Sequence, residues 1–481
     1  MKVAVIGGGI VGSLLAYELS KYDLELFLIE KNKDFGQGVT KANSAIIHGG
    51  YDDPTGTLRA ELCASGNRRY DVLSKELSIP INRIGSLVVS DDSAKSEKTL
   101  DKLYERGVKN EVEGLSIIKQ DKLESIEPYL DKKYTKGLYC GSAAITEPWM
   151  IAVSAALAAE KNGATLVKGD AVVESVSKAK RVKEVVLSSS RKIEADLVLN
   201  AAGIYFSKVA EIFGVRVPEV ILVRGQYLLL DHLASEFVNS IIFPLPSEKG
   251  KGKLVVPTID GGILLGPTSE KIDGFYPEDT TTTAKGINEV IEAGEEFIEG
   301  IARPKWFIKT FSGLRPETPD KDFYIKIAPE KTNFITVGGM RSPGLTAAPA
   351  VADYVIEYLI QEKMGIKLVK KENLKTISPP LRIKELTFKD ASERIKENNS
   401  YGRIICQCNQ VSEKEIRDAI RNGAKTLDDV KFRTRATFGR CQGGFCTWKI
   451  IKILSEELNI PLEEVKKNEG KSELLDGKVR K

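Results

Sequence analysis

The sequence predicts an α/β fold in which a Rossmann-like domain carries an inserted α+β domain and is followed by a small, mostly helical C-terminal domain. Three observations predict this fold class. An apolar strand runs into a glycine-rich turn and a helix within residues 3–19, as in a βαβ unit. Helical patterns and short β-branched strands then alternate to about residue 366. Four of the six cysteines lie between residues 406 and 446.

The first βαβ unit has the spacing of a dinucleotide-binding site. Gly7 permits a tight turn, Gly9 lets the backbone approach a pyrophosphate, and Gly12 lets the helix pack on the strand. Glu30 ends the second strand, where a carboxylate can bind ribose hydroxyls. An acid at this position argues against a 2′-phosphate, so the pattern predicts NAD or FAD without choosing between them.

Composition and charge exclude several classes of protein. With 481 residues, 42% hydrophobic and 29% charged, the chain is long enough for two or three globular domains. Its net charge of +4 is a small difference between 71 basic and 67 acidic residues, which gives no case for nucleic-acid binding. We find neither a signal-like leader nor an apolar run of about 18 residues, so we expect a cytoplasmic protein that is not integral to a membrane.

The C-terminal cysteines form a ligand set. A C-x-C pair, Cys406 and Cys408, is followed after 32 residues by a C-x4-C pair, Cys441 and Cys446. Thiolates suit structural zinc and iron-sulfur clusters alike, but common zinc ribbons use C-x2-C pairs, and a redox cofactor at the N-terminus favours an electron-carrying cluster. A zinc-like site that only braces the domain is the alternative.

Three further segments carry a family resemblance. Residues 41–50, 195–203 and 338–346 resemble, in order and spacing, the FAD-dependent oxidoreductases of the D-amino-acid oxidase superfamily. Within that superfamily, residues 48–50 are similar to flavin-linked glycerol-3-phosphate dehydrogenases, and residues 56–63 to L-2-hydroxyglutarate dehydrogenases. The tail resembles the [2Fe-2S] domain of bacterioferritin-associated ferredoxin, which also ends the catalytic subunit of anaerobic glycerol-3-phosphate dehydrogenases. The resemblance therefore implies two cofactors, FAD and a [2Fe-2S] cluster.

The resemblance also sets the expected domain boundaries. It implies a discontinuous FAD-binding domain, a substrate domain inserted into it, a polar linker, and a [2Fe-2S] domain with its tail. We place the FAD-binding domain at 1–76, 150–215 and 325–366, the substrate domain at 77–149 and 216–324, the linker at 367–402 and the [2Fe-2S] domain at 403–481.

Carried over position by position, the resemblance implies FAD contacts from the glycine turns, the end of the second strand, the active-site loop and the start of the last helix of the FAD-binding domain. These residues are Gly7, Gly9, Gly12, Glu30, Lys31, Ala42, Asn43, Ser44, Val172, Ala202, Gly203, Gly339, Arg341, Gly344, Leu345 and Thr346. It likewise assigns the four C-terminal cysteines to the cluster.

A flavin enzyme that oxidises an alcohol needs a base for the hydroxyl proton, and histidine has a suitable pKa. His48 lies in the segment that resembles the active-site loop, so we expect it to be that base, with packing near the flavin as the alternative. Arg315 matches a substrate-binding arginine of the family, and we expect it to anchor an anionic substrate for catalysis through two-pronged hydrogen bonding. Arg341, Arg59 and Tyr51 are further candidates for substrate contact.

One segment departs from the family. The glycerol-3-phosphate enzymes supply an arginine for the substrate phosphate after the paired glycines, whereas this chain has Asp52 and Asp53 there, and an acid repels a phosphate dianion. The leading hypothesis is still an FAD-dependent dehydrogenase that oxidises glycerol-3-phosphate, a small anionic substrate, to dihydroxyacetone phosphate. Its electrons would pass through the cluster to a partner subunit or a quinone.

Three alternatives stay open at this point. They are a dehydrogenase for L-2-hydroxyglutarate or another 2-hydroxy acid, one for an amino acid or amine, and an electron-transfer subunit of a larger complex without a substrate of its own. A partner subunit would allow association with the inner face of the membrane, and the sequence allows an oligomer.

Overall fold

The computed structural model describes most of the chain, in three stretches: residues 1–246, 252–378 and 380–477. The positions outside them belong to the predicted substrate domain, linker and tail, and are residues 247–251, 379 and 478–481. The chain forms two compact units, Met1–Ile377 and Ser378–Lys481. Within the described stretches, no helix has both the length and the apolar character needed to cross a membrane.

The larger unit mixes strands and helices along its whole length. Its strands are β1 (Lys2–Ile6), β2 (Glu25–Glu30), β3 (Ile46–Ile47), β4 (Ile81–Asn82), β5 (Ser86–Ser90), β6 (Leu115–Lys119), β7 (Lys136–Cys140), β8 (Ala144–Thr146), β9 (Thr165–Lys168), β10 (Val172–Lys178), β11 (Arg181–Leu187), β12 (Lys192–Glu194), β13 (Leu197–Asn200), β14 (Ile221–Leu230), β15 (Ile241–Phe243), β16 (Leu254–Pro257), β17 (Ile263–Gly266), β18 (Glu270–Lys271), β19 (Phe307–Glu317), β20 (Tyr324–Ile327) and β21 (Phe334–Gly338). Its α-helices are α1 (Ile10–Ser20), α2 (Leu58–Glu76), α3 (Ala94–Lys109), α4 (Gln120–Ile126), α5 (Pro148–Lys161), α6 (Phe206–Ile212), α7 (Ala284–Phe297) and α8 (Gly344–Asp353).

A six-stranded sheet forms the centre of this unit, in the order β20-β21-β13-β1-β2-β9. Neighbouring strands run parallel except β20, which is antiparallel to β21. Along β1, Val3 and Val5 pack into one hydrophobic cluster and Ala4 and Ile6 into another, because the side chains of a strand alternate between its two faces. Helices α1, α5 and α8 contribute to the first cluster, and α6 with β11 and β12 to the second. This buried parallel sheet confirms the predicted α/β class.

A second, nine-stranded sheet gathers strands from two separate stretches of the chain, β5 to β7 and β14 to β19. Its longest pairing joins β14 and β19, antiparallel from Ile221 opposite Glu317 to Leu230 opposite Phe307. Helix α7 packs on this sheet, with Val290 buried in the same cluster as the strand residues. Directly opposed residues point to the same face, so β14 and β19 together present one side-chain surface toward the rest of the unit.

The smaller unit is mostly helical. Its elements are the helices α9 (Phe388–Glu397), α10 (Glu413–Arg421), α11 (Leu427–Thr434) and α12 (Thr447–Leu458), and the strands β22 (Ile404–Cys406) and β23 (Val411–Ser412). Helix α10 starts with a capping box, in which the Ser412 hydroxyl and the Glu415 carboxylate each bind the other residue's backbone N–H. The hydrophobic core of the smaller unit is built from residues such as Ile416, Val430 and Leu454. Helix α9 lies within the segment predicted as a linker.

Candidate active site

The glycine turn lies at the edge of the six-stranded sheet where the carboxyl ends of its parallel strands meet. Strand β1 leads through Gly7 into α1, whose first residue, Ile10, donates its N–H to Thr40 Oγ1 (3.1 Å). A Cβ at Gly12 would overlap the carbonyl oxygen of Gly7, so glycine is needed for this close packing of α1. A Cβ at Gly9 would stand only 3.2 Å from Thr40 Oγ1. This helix start can hold a pyrophosphate, because the backbone N–H groups at a helix N-terminus and the helix dipole favour an anion.

Glu30 lies beside the glycine turn with its carboxylate almost fully buried. Its Oε2 accepts the N–H of Gly8 (2.6 Å), and its Oε1 accepts the N–H (2.8 Å) and the side-chain amide (2.6 Å) of Asn32. Burial raises the pKa of Glu30, and these hydrogen bonds oppose the rise. The carboxylate therefore stands at the end of β2, within reach of a ribose bound at the turn.

Other residues expected to hold FAD follow the neighbouring strands of the same sheet. Ala202 and Gly203 follow the end of β13 after one intervening residue, and Gly339 comes directly after β21. Gly203 has a φ of +57°, and a Cβ there would meet open space. Lys31 follows β2, and Val172 begins β10 in the adjoining three-stranded sheet. A cradle bordered by glycines and one buried carboxylate fits a dinucleotide such as FAD.

The loop before β3 reaches the nine-stranded sheet. The carbonyl of Ala42 lies where a Cβ of Gly313 would be, so loop and strand are in contact. Asn43 shapes the loop by donating its amide to two preceding carbonyls at 2.9 Å each. Ser44 Oγ lies 3.3 Å from the hydroxyl of Tyr227. The residues expected at the flavin thus reach the surface formed by β14 and β19.

The start of α8 is tied to the loop that carries His48. Helix α8 begins at Gly344, and the Oγ1 of Thr346 accepts the backbone N–H of His48 (2.8 Å). The hydroxyl of Tyr70 donates to the carbonyl of Leu345 (2.6 Å), which fixes the same turn from the other side. Three residues expected near the flavin ring are therefore held against the expected catalytic histidine.

His48 is 6% exposed and both of its ring nitrogens face polar groups. Its Nδ1 accepts the N–H of Gly50 (2.9 Å), and its Nε2 lies 3.5 Å from Asp52 Oδ1. A nitrogen that accepts a hydrogen bond carries no proton, so the neutral ring has its proton on Nε2, facing Asp52. The fully buried Tyr51 packs against the imidazole with ring centroids 4.8 Å apart. Tyr51 thus supports His48, while the arginines expected at the substrate form a separate group.

Those arginines are Arg59, Arg315 and Arg341, and they lie close enough for the charges of the first two to act on the third. Arg315 donates from Nη2 to the carbonyl of Thr268 (3.1 Å). Arg341 Nη2 lies 3.4 Å from Glu317 Oε1, and Arg59 Nε lies 3.6 Å from Asp53 Oδ1. The three guanidinium groups come from α2, β19 and the turn after β21, so only the folded chain brings them together.

The Nε atom of each of these three arginines is buried and finds no hydrogen-bond partner among the described residues. Burial lowers the pKa of Arg341; the Glu317 carboxylate opposes this shift, and the charges of Arg59 and Arg315 add to it. Buried donors without acceptors are costly and uncommon in folded proteins. An anion that accepts from them and offsets their mutual repulsion would relieve both costs.

Tyr227 is a candidate that sequence reasoning missed. It is buried, its ring stacks on Phe311 at 4.8 Å, and its hydroxyl lies 3.3 Å from Ser44 Oγ. Burial raises the pKa of Tyr227, and the positive charge of Arg315 opposes the rise. Phe311 and Arg315 are both on β19 and four residues apart, so they share the face that Tyr227 joins. Tyr227 can be assigned to this site only from the β14–β19 register, which cannot be read from the sequence alone.

The cysteines of the smaller unit stand in two pairs. The Sγ atoms of Cys408 and Cys441 are 3.7 Å apart, and the thiols of Cys406 and Cys446 hydrogen-bond to each other, which lowers the pKa of Cys406. In the part of the chain that is described, no three His, Cys, Asp or Glu side chains are grouped around one metal position. Zinc needs its ligands around one ion, whereas a [2Fe-2S] cluster has two irons. Two pairs of thiols suit the two irons of such a cluster.

Similarities to known proteins cover both units. Residues 2–358 match the family described as FAD dependent oxidoreductase, and residues 404–456 match the BFD-like [2Fe-2S] binding domain. The chain is 39% identical over 481 residues to a glycerol 3-phosphate dehydrogenase of Caloramator mitchellensis, across 99% of this chain and 98% of that protein. It is 30% identical over 305 residues to the mitochondrial L-2-hydroxyglutarate dehydrogenase of Mus musculus, across 60% and 64%. Its structure is similar to that of dithionite-reduced L-α-glycerophosphate oxidase from Mycoplasma pneumoniae with FAD bound, with a TM-score of 0.71, 28% identity, and coverage of 78% of this chain and 97% of that one.

Proposed function

The chain belongs to the FAD-dependent oxidoreductase family, and from that premise we propose that it oxidises glycerol 3-phosphate to dihydroxyacetone phosphate. Both resemblances found in the sequence are confirmed by the family matches, so the protein is an oxidoreductase whose cofactors are FAD and a [2Fe-2S] cluster. The substrate assignment takes support from the dehydrogenase relative, with which the chain shares 39% identity over nearly its whole length.

The observation that carries the proposal is the group formed by Arg59, Arg315 and Arg341. Their three buried Nε–H donors without hydrogen-bond partners in the described chain are suited to an acceptor with several oxygens. A phosphate presents three such oxygens, and guanidinium groups bind it with short, charge-assisted hydrogen bonds. We assign these arginines to the phosphate of the substrate.

Asp52 and Asp53, which stand where the family supplies an arginine, are compatible with this assignment because each is close to a positive or proton-bearing group. Asp52 faces the Nε2 of His48 at 3.5 Å, and Asp53 stands 3.6 Å from Arg59 Nε. In this proposal Arg59 takes over the anchoring role from the missing arginine.

The reaction needs an acceptor for a hydride and an acceptor for a proton. Bound FAD supplies the first, held by the glycine turn, by Glu30 and by the start of α8. We assign the second to His48 and Asp52 as a pair. Because Nδ1 of His48 accepts the Gly50 N–H and Nε2 already carries the ring proton, the hydroxyl proton is taken up by the Asp52 carboxylate, which Nε2–H faces. The pair carries one negative charge before the hydroxyl proton arrives and none afterwards.

We further propose that electrons leave the protein through the smaller unit, toward a partner protein or a quinone. The match to the oxidase of Mycoplasma pneumoniae covers 97% of that protein and 78% of this chain. The larger unit, with 377 of the 481 residues, also makes up about 78% of this chain. The dehydrogenase relative extends over 99% of this chain. The match to this dehydrogenase therefore includes the smaller unit with its four cysteines. A [2Fe-2S] cluster exchanges electrons singly, which suits delivery to a one-electron acceptor.

The deciding experiment mixes the purified holoenzyme with glycerol 3-phosphate without oxygen and follows the visible absorbance of the flavin. Rapid bleaching by this substrate is the expected result. Bleaching by L-2-hydroxyglutarate but not by the phosphate would transfer the assignment to the 2-hydroxy acid, for which the relative from Mus musculus is the supporting observation. Bleaching by neither would contradict the proposal and favour an amine substrate or an electron-transfer subunit.

A further inference from the structure

We propose that the smaller unit docks an acidic one-electron carrier protein on an aromatic and cationic surface beside its cysteines. This inference rests on the proposed function, in which electrons leave through that unit. We call the surface the cluster face and define it by five exposed residues: Arg440, Phe445, Trp448, Lys449 and Lys452.

Two large aromatic side chains are exposed on the cluster face. Phe445, which directly precedes Cys446, is 81% exposed, and Trp448 is 47% exposed. The ammonium group of Lys452 lies 5.0 Å from the centre of the Trp448 ring, so these two residues share one side of α12. Exposed aromatic residues next to a cationic rim are the composition of a protein-binding patch, because the rings provide anchors and the rim provides steering.

Charge is segregated along the segment that bears this face. Residues 430–455 contain six basic residues and no acidic one: Lys431, Arg433, Arg435, Arg440, Lys449 and Lys452. The acidic residues of α12, Glu456 and Glu457, lie at its other end, where Arg417 makes ion pairs with both. The exposed lysines of the cluster face, Lys449 and Lys452, give it a positive charge that is complementary to an acidic protein.

The exposure of the cysteines supports electron transfer to a redox partner at this face. Cys408 and Cys441 are partly exposed, whereas Cys406 and Cys446 are buried. The pair nearest to solvent thus includes Cys441, which directly follows Arg440. Oxidation of glycerol 3-phosphate to the ketone releases two electrons and two protons. Since each carrier accepts one electron, two carriers are reduced for every substrate oxidised.

The test uses holoenzyme and an acidic flavodoxin as the carrier, with basic cytochrome c as the opposite probe. The double variant K449E/K452E reverses two charges of the cluster face. Its matched control, K389E/K396E, makes the same change in net charge at two exposed lysines of α9. At low salt, we expect the second-order rate constant for flavodoxin reduction to fall roughly tenfold in the first variant and to stay unchanged in the control, and the difference should shrink as salt is added.

A binding measurement on oxidised holoenzyme complements the kinetics. Calorimetric titration with flavodoxin should show weaker binding for K449E/K452E and for W448A, the latter with the salt dependence of the unaltered protein. The proposal is overturned if the cluster-face and control variants behave alike, or if K449E/K452E slows the reduction of cytochrome c at low salt as much as that of flavodoxin. It is also overturned if the variants slow electron transfer within the protein while leaving flavodoxin binding intact. Reduction of the enzyme with dithionite in place of substrate, with the excess dithionite removed before the carrier is added, separates failure of this proposal from failure of the substrate assignment.

Discussion

Replacing Arg315 with alanine tests the anion site most directly. One Nη of Arg315 is engaged by the Thr268 carbonyl, while its buried Nε–H has no hydrogen-bond partner within the described chain. If that donor binds the phosphate, R315A loses at least one charge-assisted hydrogen bond, worth about 1.5–3 kcal/mol. This corresponds to a roughly 10- to 150-fold fall in kcat/KM for glycerol 3-phosphate. The assay is anaerobic flavin reduction in a stopped-flow instrument over a range of substrate concentrations.

The chemistry of the substrate supplies the control for R315A. Glycerol has the reacting alcohol but lacks the phosphate, so its slow oxidation should be nearly unchanged in the variant. R315K keeps the charge but loses the planar fork, and we expect an effect between those of R315A and the unaltered enzyme. Equal losses with glycerol and with glycerol 3-phosphate would refute the reasoning, because the arginine would then act on the fold or on the flavin.

Four further predictions follow from the site. D52N should bind glycerol 3-phosphate more tightly yet reduce the flavin more slowly, a split that a purely structural role of Asp52 would not produce, and rapid kinetics would measure it. G12A should purify without FAD, as the flavin absorbance would report, because its methyl group would overlap the Gly7 carbonyl. C441S should lose the iron absorbance while retaining flavin bleaching by substrate. Burial raises the folded-state pKa of Glu30, so its contribution to stability is present below the unfolded pKa and is lost as pH rises through the folded value. Thermal unfolding of E30Q apoprotein should therefore vary less with pH than that of the unaltered apoprotein.

The parts of the structure that were predictable from the sequence are those written locally in the chain. The turn from Gly7 to Gly12 and the acid at Glu30 lie within one βαβ unit, so strand and helix periodicity were sufficient to recognise them. The cysteine spacing was likewise visible, but its arrangement in two pairs was not, because β22, β23 and α12 must fold before Cys406 meets Cys446.

Long-range contacts account for what the sequence did not reveal. The backbone N–H of Arg59 is held by the carboxylate of Asp322, 263 residues away, and no periodicity indicates such a contact. Tyr227 joins the site only through the register of β14 with β19. Asp52 was expected to repel a phosphate because the sequence gives its place in the chain but not the orientation of its side chain. That orientation follows from the turn in which Gly50 binds Nδ1 of His48 and leaves Nε2 facing the carboxylate.

The charge balance of the site gives Asp52 a use beyond orienting a histidine. The three arginines contribute three positive charges, and their acidic neighbours Asp53 and Glu317 offset two of them. If the arginines bind the substrate phosphate as proposed, the ionised carboxylate of Asp52, next to Asp53 in the chain, opposes the binding of the dianion. Under the proposed function, the His48–Asp52 pair takes up the proton of the substrate hydroxyl, and that opposing charge then disappears. The electrostatic repulsion from Asp52 acts on the bound substrate and decreases as the proton is transferred. It therefore lowers the affinity for the substrate without slowing the chemical step. Removing the charge should for this reason tighten binding and slow reduction together.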